Sequence, residues 1–225
     1  MARPRTHHAA KKEELIKTAF DLFMKNGYEN TSIQDIMNIA KISKGAMYHY
    51  FTCKEDILDA VLNYIIDFDE KRLKPVLEDQ SLGSLDKLIS VMNFRTSDPE
   101  EIQKANEYIL QRKDSVFDYR ARELSKERTI PKLTELIREG TANGEFHTDY
   151  PEEMAAFIYM SAQSVGEMMI TKESDTSSLL RALEAFALLL ANCLGLGRKE
   201  QNLLAAHLQS QMSAYQSFQP EIRRT

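Results

Sequence analysis

Apolar residues recur at three- and four-residue steps along nearly the whole chain, which is the pattern of amphipathic α-helices. The first such stripe starts at Leu15 and is followed by Gly27, a residue that readily ends a helix. A second, shorter stripe starts at Ile33. Ser43 is then a good N-cap for a third helix, which ends near Phe51. Three short helices are therefore predicted within the first quarter of the chain.

The remainder of the chain is also predicted to be helical. A long helix begins at about Lys54 and runs to about Asp79, and Pro75 is expected to kink or end it. Further helices are predicted near 82–94, 99–113, 115–140, 151–172, 177–196 and 199–217. Pro131 should divide or bend the helix over 115–140. Because no segment of useful length alternates apolar and polar residues, we predict no sheet and an all-α fold.

Cysteine usage and hydropathy indicate the compartment. The two cysteines, Cys53 and Cys193, are far apart and form no CxxC motif, which favours a reducing environment. The charged N-terminal segment leads into no apolar core, so no signal peptide is predicted. The longest apolar run, 185–197, is shorter than the roughly 20 residues of a spanning helix. We expect a soluble, cytoplasmic protein that has no membrane partner.

Charge is distributed unevenly between the two ends of the chain. The net charge is −5, but residues 1–54 carry nine Lys and Arg against five Asp and Glu, a net of +4. The remaining residues, 55–225, therefore carry a net of −9. A basic N-terminal segment on an acidic body is typical of a protein that binds a polyanion at one end. A chance asymmetry is the alternative.

The three short helices, with a tight break between the second and third, indicate a helix-turn-helix. In that motif the helix after the break enters the major groove of DNA. Here Lys44 supplies charge at its start and Gly45 allows the backbone to approach closely, while Tyr48 and His49 can face outward together. The alternative is a purely structural motif whose Tyr-His-Tyr sequence packs internally.

These residues resemble a known family. Residues 15–62 resemble the DNA-binding region of the TetR family of bacterial transcriptional regulators, through FDLFMKNGYENTSIQDI, SKGAMYHYF and then KEDIL at the start of the long helix. Residues beyond this region resemble the family only in being all-helical, in length and in the pattern GEFHTDYPEEMAAF. The resemblance implies an N-terminal three-helix DNA-binding domain over 1–53. It implies a larger helical ligand-binding and dimerisation domain over 54–225, joined through the long helix.

The resemblance also implies how DNA would be bound. Family members are homodimers whose two recognition helices read successive major grooves of a palindromic operator. Tyr48 and Lys54 match the family's usual phosphate contacts, and Lys44 and His49 are the best candidates for contacts to base edges. The full set of expected DNA contacts is Thr31, Ser32, Gln34, Lys44, Gly45, Ala46, Tyr48, His49, Tyr50 and Lys54.

For the body, the resemblance implies a dimer interface and an effector pocket. The alternative for the two apolar stripes is that both helices bury them in the core of the monomer. As an interface, the stripes give these candidate dimer residues: Ala155, Tyr159, Ala162, Gly166, Leu179, Leu183, Phe186 and Leu190. Methionine and aromatic residues, for which ordinary core is the alternative, give a candidate pocket for an apolar or amphipathic small molecule: Met92, Phe94, Tyr108, Phe117, Tyr119, Phe157, Met160, Met168 and Met169.

The sequence thus predicts a ligand-responsive regulator, a repressor that an effector releases from its operator. The alternatives are a helical ligand-binding or adaptor protein that no longer binds DNA, and an all-helical enzyme. No GxGxxG, P-loop, GxSxG or HExxH motif is present, and the histidines form no metal-binding pattern, so we expect no cofactor and no enzyme. Cys53 precedes the long helix, where a thiolate is favoured, so a redox switch is a further alternative.

Overall fold

The computed structural model describes residues 4–91, 116–170 and 175–218, and all regular secondary structure in these ranges is α-helical. The all-α prediction is therefore confirmed. Numbered in chain order over the described residues, the helices are α1 Pro4–Asn26, α2 Ile33–Ala40, α3 Lys44–Tyr50, α4 Lys54–Glu78, α5 Ser84–Val91, α6 Val116–Ala142, α7 Pro151–Ile170, α8 Thr176–Cys193 and α9 Arg198–Phe218.

Proline interrupts these helices less than the sequence predicts. Helix α4 continues for three residues beyond Pro75, and α6 passes through Pro131 without a break. Pro131 thus does not divide α6, and the bend that was the other expectation stays a prediction. An internal proline costs about 3 kcal/mol, but Leu124 and Leu133 on either side of it are both buried in apolar cores. Packing of the flanking turns accordingly outweighs the local cost. The helix predicted over 99–113 lies outside the described residues.

The chain forms two compact units whose limits differ from the domains expected from sequence. The first unit contains residues 4–71 and 116–125, and the second contains 72–91, 126–170 and 175–218. The first therefore extends well past residue 53, because the apolar stripe of α4 that starts at Ile57 is buried in its core. It also includes the first turns of α6, which lie far away in sequence.

The first unit is built around aromatic contacts between distant segments. The ring of Phe23 makes edge-on contacts with Tyr28 at 5.2 Å and with Phe117 at 6.5 Å between centroids. Phe117 is fully buried. Arg120 adds a bidentate ion pair with Asp59 of α4, with N–O distances of 2.7 and 2.9 Å. The start of α6 is thereby fixed to α1 and α4 within this unit.

The second unit packs α8 against both α7 and α9. In this unit, the loop after α6 is fixed by contacts to the start of α5 and to α6 itself. The Glu145 carboxylate accepts from the backbone N–H of Ser84 at 2.7 Å, at the start of α5. Gly140 lies so close to Phe146 that a Cβ atom there would be 2.3 Å from the ring. This position consequently requires glycine for steric reasons.

Within the described ranges, none of the helices combines the length and the apolar character needed to cross a membrane.

Candidate nucleic-acid interface

Helix α2 starts with a reciprocal cap. The Ser32 hydroxyl accepts from the backbone N–H of Asp35, while the Asp35 carboxylate accepts from the backbone N–H of Ser32 at 2.8 Å. The hydrogen bonds from Ser32 lower the pKa of the Asp35 carboxyl. The Asp35 carboxylate therefore belongs to the cap, and the two hydrogen bonds fix the backbone at the start of α2.

A three-residue turn joins α2 to α3. Lys41 adopts the left-handed conformation, with φ 50° and ψ 47°, and its N–H donates to the carbonyl of Met37. The N–H of Ile42 donates to the same carbonyl at 3.1 Å. Ser43 then caps α3, where its hydroxyl accepts from the N–H of Ala46 at 3.3 Å. This geometry is that of the helix-turn-helix predicted from the sequence.

Helix α3 has one face in the core and one face in solvent. Met47 and the C-cap residue Phe51 are buried in the core of the first unit. Lys44 and His49 are exposed, and Tyr48 is 46% exposed. An exposed cation, a phenol and an imidazole on one short helix can bind phosphate oxygens and the hydrogen-bonding edges of bases.

Gly45 belongs to the same exposed face of α3. No atom lies within 4 Å of the place where a Cβ atom would be. The position therefore leaves the helix backbone open to the approach of a large partner.

Lys54 connects the start of α4 to the loop between α1 and α2. Its ammonium group lies 4.2 Å from the centroid of the Tyr28 ring and donates to the carbonyl of Glu29 at 3.3 Å. Burial, followed by the charges of Glu55 and Glu29, raises the pKa of Tyr28 to about 12. The ring below Lys54 is thus neutral at physiological pH, and the half-buried lysine keeps its position at the edge of the α3 face.

Thr31 requires a correction among the expected DNA contacts. The side chain is only 1% exposed, and its hydroxyl donates to the carbonyl of Gly27 at 2.8 Å. Since this hydrogen bond closes the loop before α2, Thr31 positions the motif and does not present its side chain to a partner. Ser32 and Gln34 are exposed, and the Gln34 amide donates to Asn38 at 2.8 Å. The remaining two expected contacts, Ala46 and Tyr50, are half-buried.

Sequence reasoning missed the contribution of α1 to this surface. Helix α1 begins at Pro4, ahead of the first predicted stripe, and the His8 ring lies against Tyr50 with centroids 4.6 Å apart. Lys11 donates to the carbonyl of Ala40 at 3.4 Å, at the end of α2. The only sequence signal is that His8, Lys11 and Leu15 continue the helical spacing of the α1 stripe towards the N-terminus.

The residues expected to form an effector pocket are spread over both units. Phe117 lies in the core of the first unit, where Tyr119 of the same helix is 69% exposed. Phe157 and Met160 are about half exposed on α7, and Met168 packs partly against the core of the second unit. Met92, Phe94, Tyr108 and the side chain of Met169 lie outside the described residues.

The residues expected to form a dimer interface also require a correction. Ala162 and Gly166 are half-buried, and the other six are buried in the core of their own unit: Ala155, Tyr159, Leu179, Leu183, Phe186 and Leu190. The same helices expose a different apolar set, which we call the α7–α8 face: Phe157, Met160, Leu188 and Leu189. The stripes identified from the sequence face inward because α8 packs against both α7 and α9.

Among the described residues there is no group of three or more His, Cys, Asp or Glu side chains that could hold a metal ion. Cys53 and Cys193 are both free and half-buried. The chemistry of this surface is therefore that of its cations, hydroxyls and rings.

Comparison with known proteins places the same segment in a defined family. Residues 8–61 match the family model of bacterial regulatory proteins, tetR family. The chain is 31% identical over 140 residues to the uncharacterized HTH-type transcriptional regulator YuxN of Bacillus subtilis, a match that covers 62% of this chain and 44% of YuxN. The matched region thus spans less than half the length of that relative.

Two further comparisons extend beyond the N-terminal segment. The chain is 27% identical over 149 residues to the HTH-type transcriptional repressor KstR2 of Mycolicibacterium smegmatis, covering 63% of this chain and 70% of KstR2. A crystal structure of a TetR-family transcriptional regulator from Pectobacterium atrosepticum aligns with a TM-score of 0.61 and 25% identity, over 87% of this chain and all of that one. The aligned part of this chain includes residues of both compact units.

Proposed function

Because the chain belongs to the TetR family of bacterial regulatory proteins, we propose that it is a ligand-responsive transcriptional repressor. It binds a palindromic operator as a homodimer, and a small-molecule effector in the second unit releases it. The relatives described above are named as transcriptional regulators, and KstR2 is named as a repressor.

The observation that carries this proposal is the exposed face of α3. Lys44, Tyr48 and His49 are exposed on a helix that Met47 fixes in the core. Lys44 reaches guanine acceptors in the major groove, and Tyr48 and Lys54 bind phosphates. Ser32 and Gln34 contact the backbone from the start of α2. Each of these side chains except that of the half-buried Lys54 is exposed.

The homodimer is proposed to form through the α7–α8 face. Phe157 and Met160 on α7 and Leu188 and Leu189 on α8 are exposed apolar side chains on two helices that contact each other. Two copies of a helix pair form a four-helix interface with two-fold symmetry. A two-fold dimer presents its two α3 helices to the two half-sites of a palindrome, about one helical turn apart.

The effector is proposed to be an apolar or amphipathic small molecule. The second unit combines a large apolar core with partly buried methionines such as Met154 and Met168, whose flexible side chains adapt to a guest. If a ligand binds the dimer more tightly at one spacing of the two α3 helices than at another, it shifts the free energy of DNA binding by the difference between its two binding free energies. A thermal-shift screen tests this point, since a bound effector raises the melting temperature.

The test of DNA recognition starts from random-sequence duplex DNA. The purified full chain is used to select binding sites, and its affinity for the selected site is measured by fluorescence anisotropy over a range of salt concentrations. We expect a palindromic site and a steep loss of affinity with salt, because phosphate contacts release counterions. Lys44→Ala should weaken binding and lower the discrimination between bases at one position of each half-site.

The matched control is Lys199→Ala, which removes an exposed lysine of α9 in the second unit. Its affinity and salt dependence should equal those of the wild type. If the folded wild-type protein selects no sequence and binds duplex DNA without salt dependence, the proposed function is wrong. If Lys44→Ala and Lys199→Ala weaken binding equally, DNA binds elsewhere on the molecule.

A further inference from the structure

The first turns of α1 lie against the ends of the helix-turn-helix. Lys11 donates to the carbonyl of Ala40, the last residue of α2, and the Lys12 ammonium lies 5.6 Å from the centroid of the Phe51 ring at the end of α3. Both cations are at helix C-termini, where positive charge is favourable. The N-terminal part of α1 therefore braces the motif where its helices end.

His8 makes the most direct contact with α3. Its ring lies 4.6 Å from the Tyr50 ring with an interplanar angle of 33°, and 5.3 Å from the His49 ring with an angle of 88°. His49 and Tyr50 contact each other edge-on at 5.7 Å. The three rings form one cluster, which we call the His8 cluster, and two of its three members are exposed.

This cluster adds a contact at the last turn of a helix that is held mainly by its Ser43 cap and by the buried Met47 and Phe51. Helix α3 is seven residues long, and its only buried residue is Met47. A helix of this length is not stable alone, because the free energy needed to order its first turn exceeds the free energy gained from its few hydrogen bonds. Contact of the His8 ring with the last turn of α3 further restrains the side-chain rotamers of His49 and of Tyr50, which also packs partly against the core.

We infer that His8 is a positioning residue that sets the base preference of α3 by fixing the orientation of His49 and Tyr50. The inference rests on the proposed function, since it concerns how the same surface reads DNA. Helix α1 thereby takes part in sequence selection through ring packing, and the contact with the base is made by α3.

The experiment compares the wild type with His8→Ala and His8→Phe. For each protein, affinity is measured for the selected operator and for operators with single base changes across each half-site. An aromatic pair contributes about 0.5–1.5 kcal/mol, so His8→Ala should lower the ratio of correct to incorrect binding about twofold to tenfold at the positions read by the end of α3. His8→Phe keeps a stacking ring and should restore that ratio.

Rescue by phenylalanine separates positioning from a phosphate contact. If His8 binds phosphate, both variants lose affinity equally for every sequence, and the base preference does not change. Asn26→Ala, at the opposite end of α1, controls for general effects of substitution in this helix and should leave selectivity unchanged. Thermal melts show whether the variants are folded at the assay temperature.

The inference is overturned if His8→Ala keeps the wild-type base preference, or if His8→Phe fails to restore it while still folded. A wild-type protein that selects no operator contradicts the proposed function instead, so the two failures are distinguishable.

Discussion

At the scale of single residues, Gly45 is informative because nothing inside the protein requires glycine there. The residue lies inside α3, and a Cβ atom would meet no atom within 4 Å. Glycine costs about 1 kcal/mol relative to alanine inside a helix. A residue that weakens a seven-residue helix without any internal reason indicates a close approach from outside.

Gly45→Ala should accordingly separate folding from DNA binding. We expect the free energy of unfolding to rise by up to about 1 kcal/mol, because alanine favours the helix. Affinity for the selected operator should fall by about tenfold, which corresponds to a typical cost of overpacking an interface. Chemical denaturation and anisotropy measure the two quantities, and an operator affinity equal to that of the wild type would show that the backbone does not approach DNA at this point.

Asp175 provides a pH-dependent helix cap at the start of α8. The carboxylate accepts from the Ser177 hydroxyl at 2.7 Å and from the backbone N–H of Ser178 at 2.8 Å. These hydrogen bonds lower the pKa of Asp175 to about 2. Because the folded pKa lies below the unfolded value of about 3.9, the cap stabilises the fold above about pH 4, and the stabilisation is lost as pH falls towards 2.

Asp175→Ala should therefore melt at a lower temperature than the wild type at neutral pH, and the difference should shrink as pH falls from about 4 to 2. Asp175→Asn is the matched control, because asparagine is an equally good cap that does not titrate. Its melting temperature should stay above that of Asp175→Ala at every pH. Scanning calorimetry across this range tests the cap, and a constant difference between wild type and Asp175→Ala would contradict it.

Residue types along the sequence predict which residues cap the helices, but they do not predict the direction in which a side chain points. Ser43 follows the second stripe and precedes the third, so its role as an N-cap could be predicted from sequence position alone. Thr31 has an equally suitable side chain, but its hydroxyl is turned inward to Gly27. Orientation depends on the loop path, which residue types do not determine.

At the scale of helices, α6 shows how packing decides where an element belongs. Its first turns are held in the first unit by Phe117 and by the ion pair of Arg120 with Asp59. Later residues such as Leu133 and Ile137 lie in the core of the second unit. The sequence predicted the helix, but periodicity cannot show which of two cores receives an apolar side chain.

The pair of Arg120 and Asp59 should show a modest coupling energy in a double-mutant cycle. Its bidentate geometry is favourable, but the two side chains are 37% and 38% exposed, so solvent screens the charges. We expect a coupling free energy of about 0.5–1 kcal/mol from urea unfolding of Arg120→Ala, Asp59→Ala and the double variant.

A second cycle on Lys74 and Glu78 is the control for this measurement. These residues form a 3.7 Å pair on α4 and are 70% and 68% exposed. Their coupling should be at most about 0.3 kcal/mol. Equal coupling in the two cycles would mean that the Arg120 pair does not hold α6 in place.

At the scale of the whole molecule, the α7–α8 face explains why the dimer residues predicted from sequence needed correction. Both helices carry apolar residues on more than one side, so a stripe alone could not show which side faces a second copy. Leu183 and Phe186 fill the core of the second unit, whereas Phe157 and Leu188 stay in solvent. Exposed fractions from the fold were needed to separate the two sets.

Phe157→Glu combined with Leu188→Glu should yield a folded monomer. Two charges in each copy would be buried without partners in the dimer, which costs several kcal/mol per interface. Sedimentation velocity should show half the mass, with unchanged helical content by circular dichroism. Operator affinity should fall because one α3 helix reads one half-site only.

Leu203→Glu is the control for this variant, since Leu203 is 57% exposed on α9 and lies outside the α7–α8 face. It should leave the mass unchanged. A dimer that persists in the double variant would place the interface on another surface.

The first unit is discontinuous along the chain, and this has a consequence for synthesis on the ribosome. Phe117 is fully buried and its ring contacts Phe23 of α1, so this core stays incomplete until about 90 residues after the end of α1 have been translated. Domains fold as units during synthesis, at about 5–20 residues per second. A nascent chain released at residue 71 would contain every side chain of α3 and would still lack the aromatic ring that closes the core behind it.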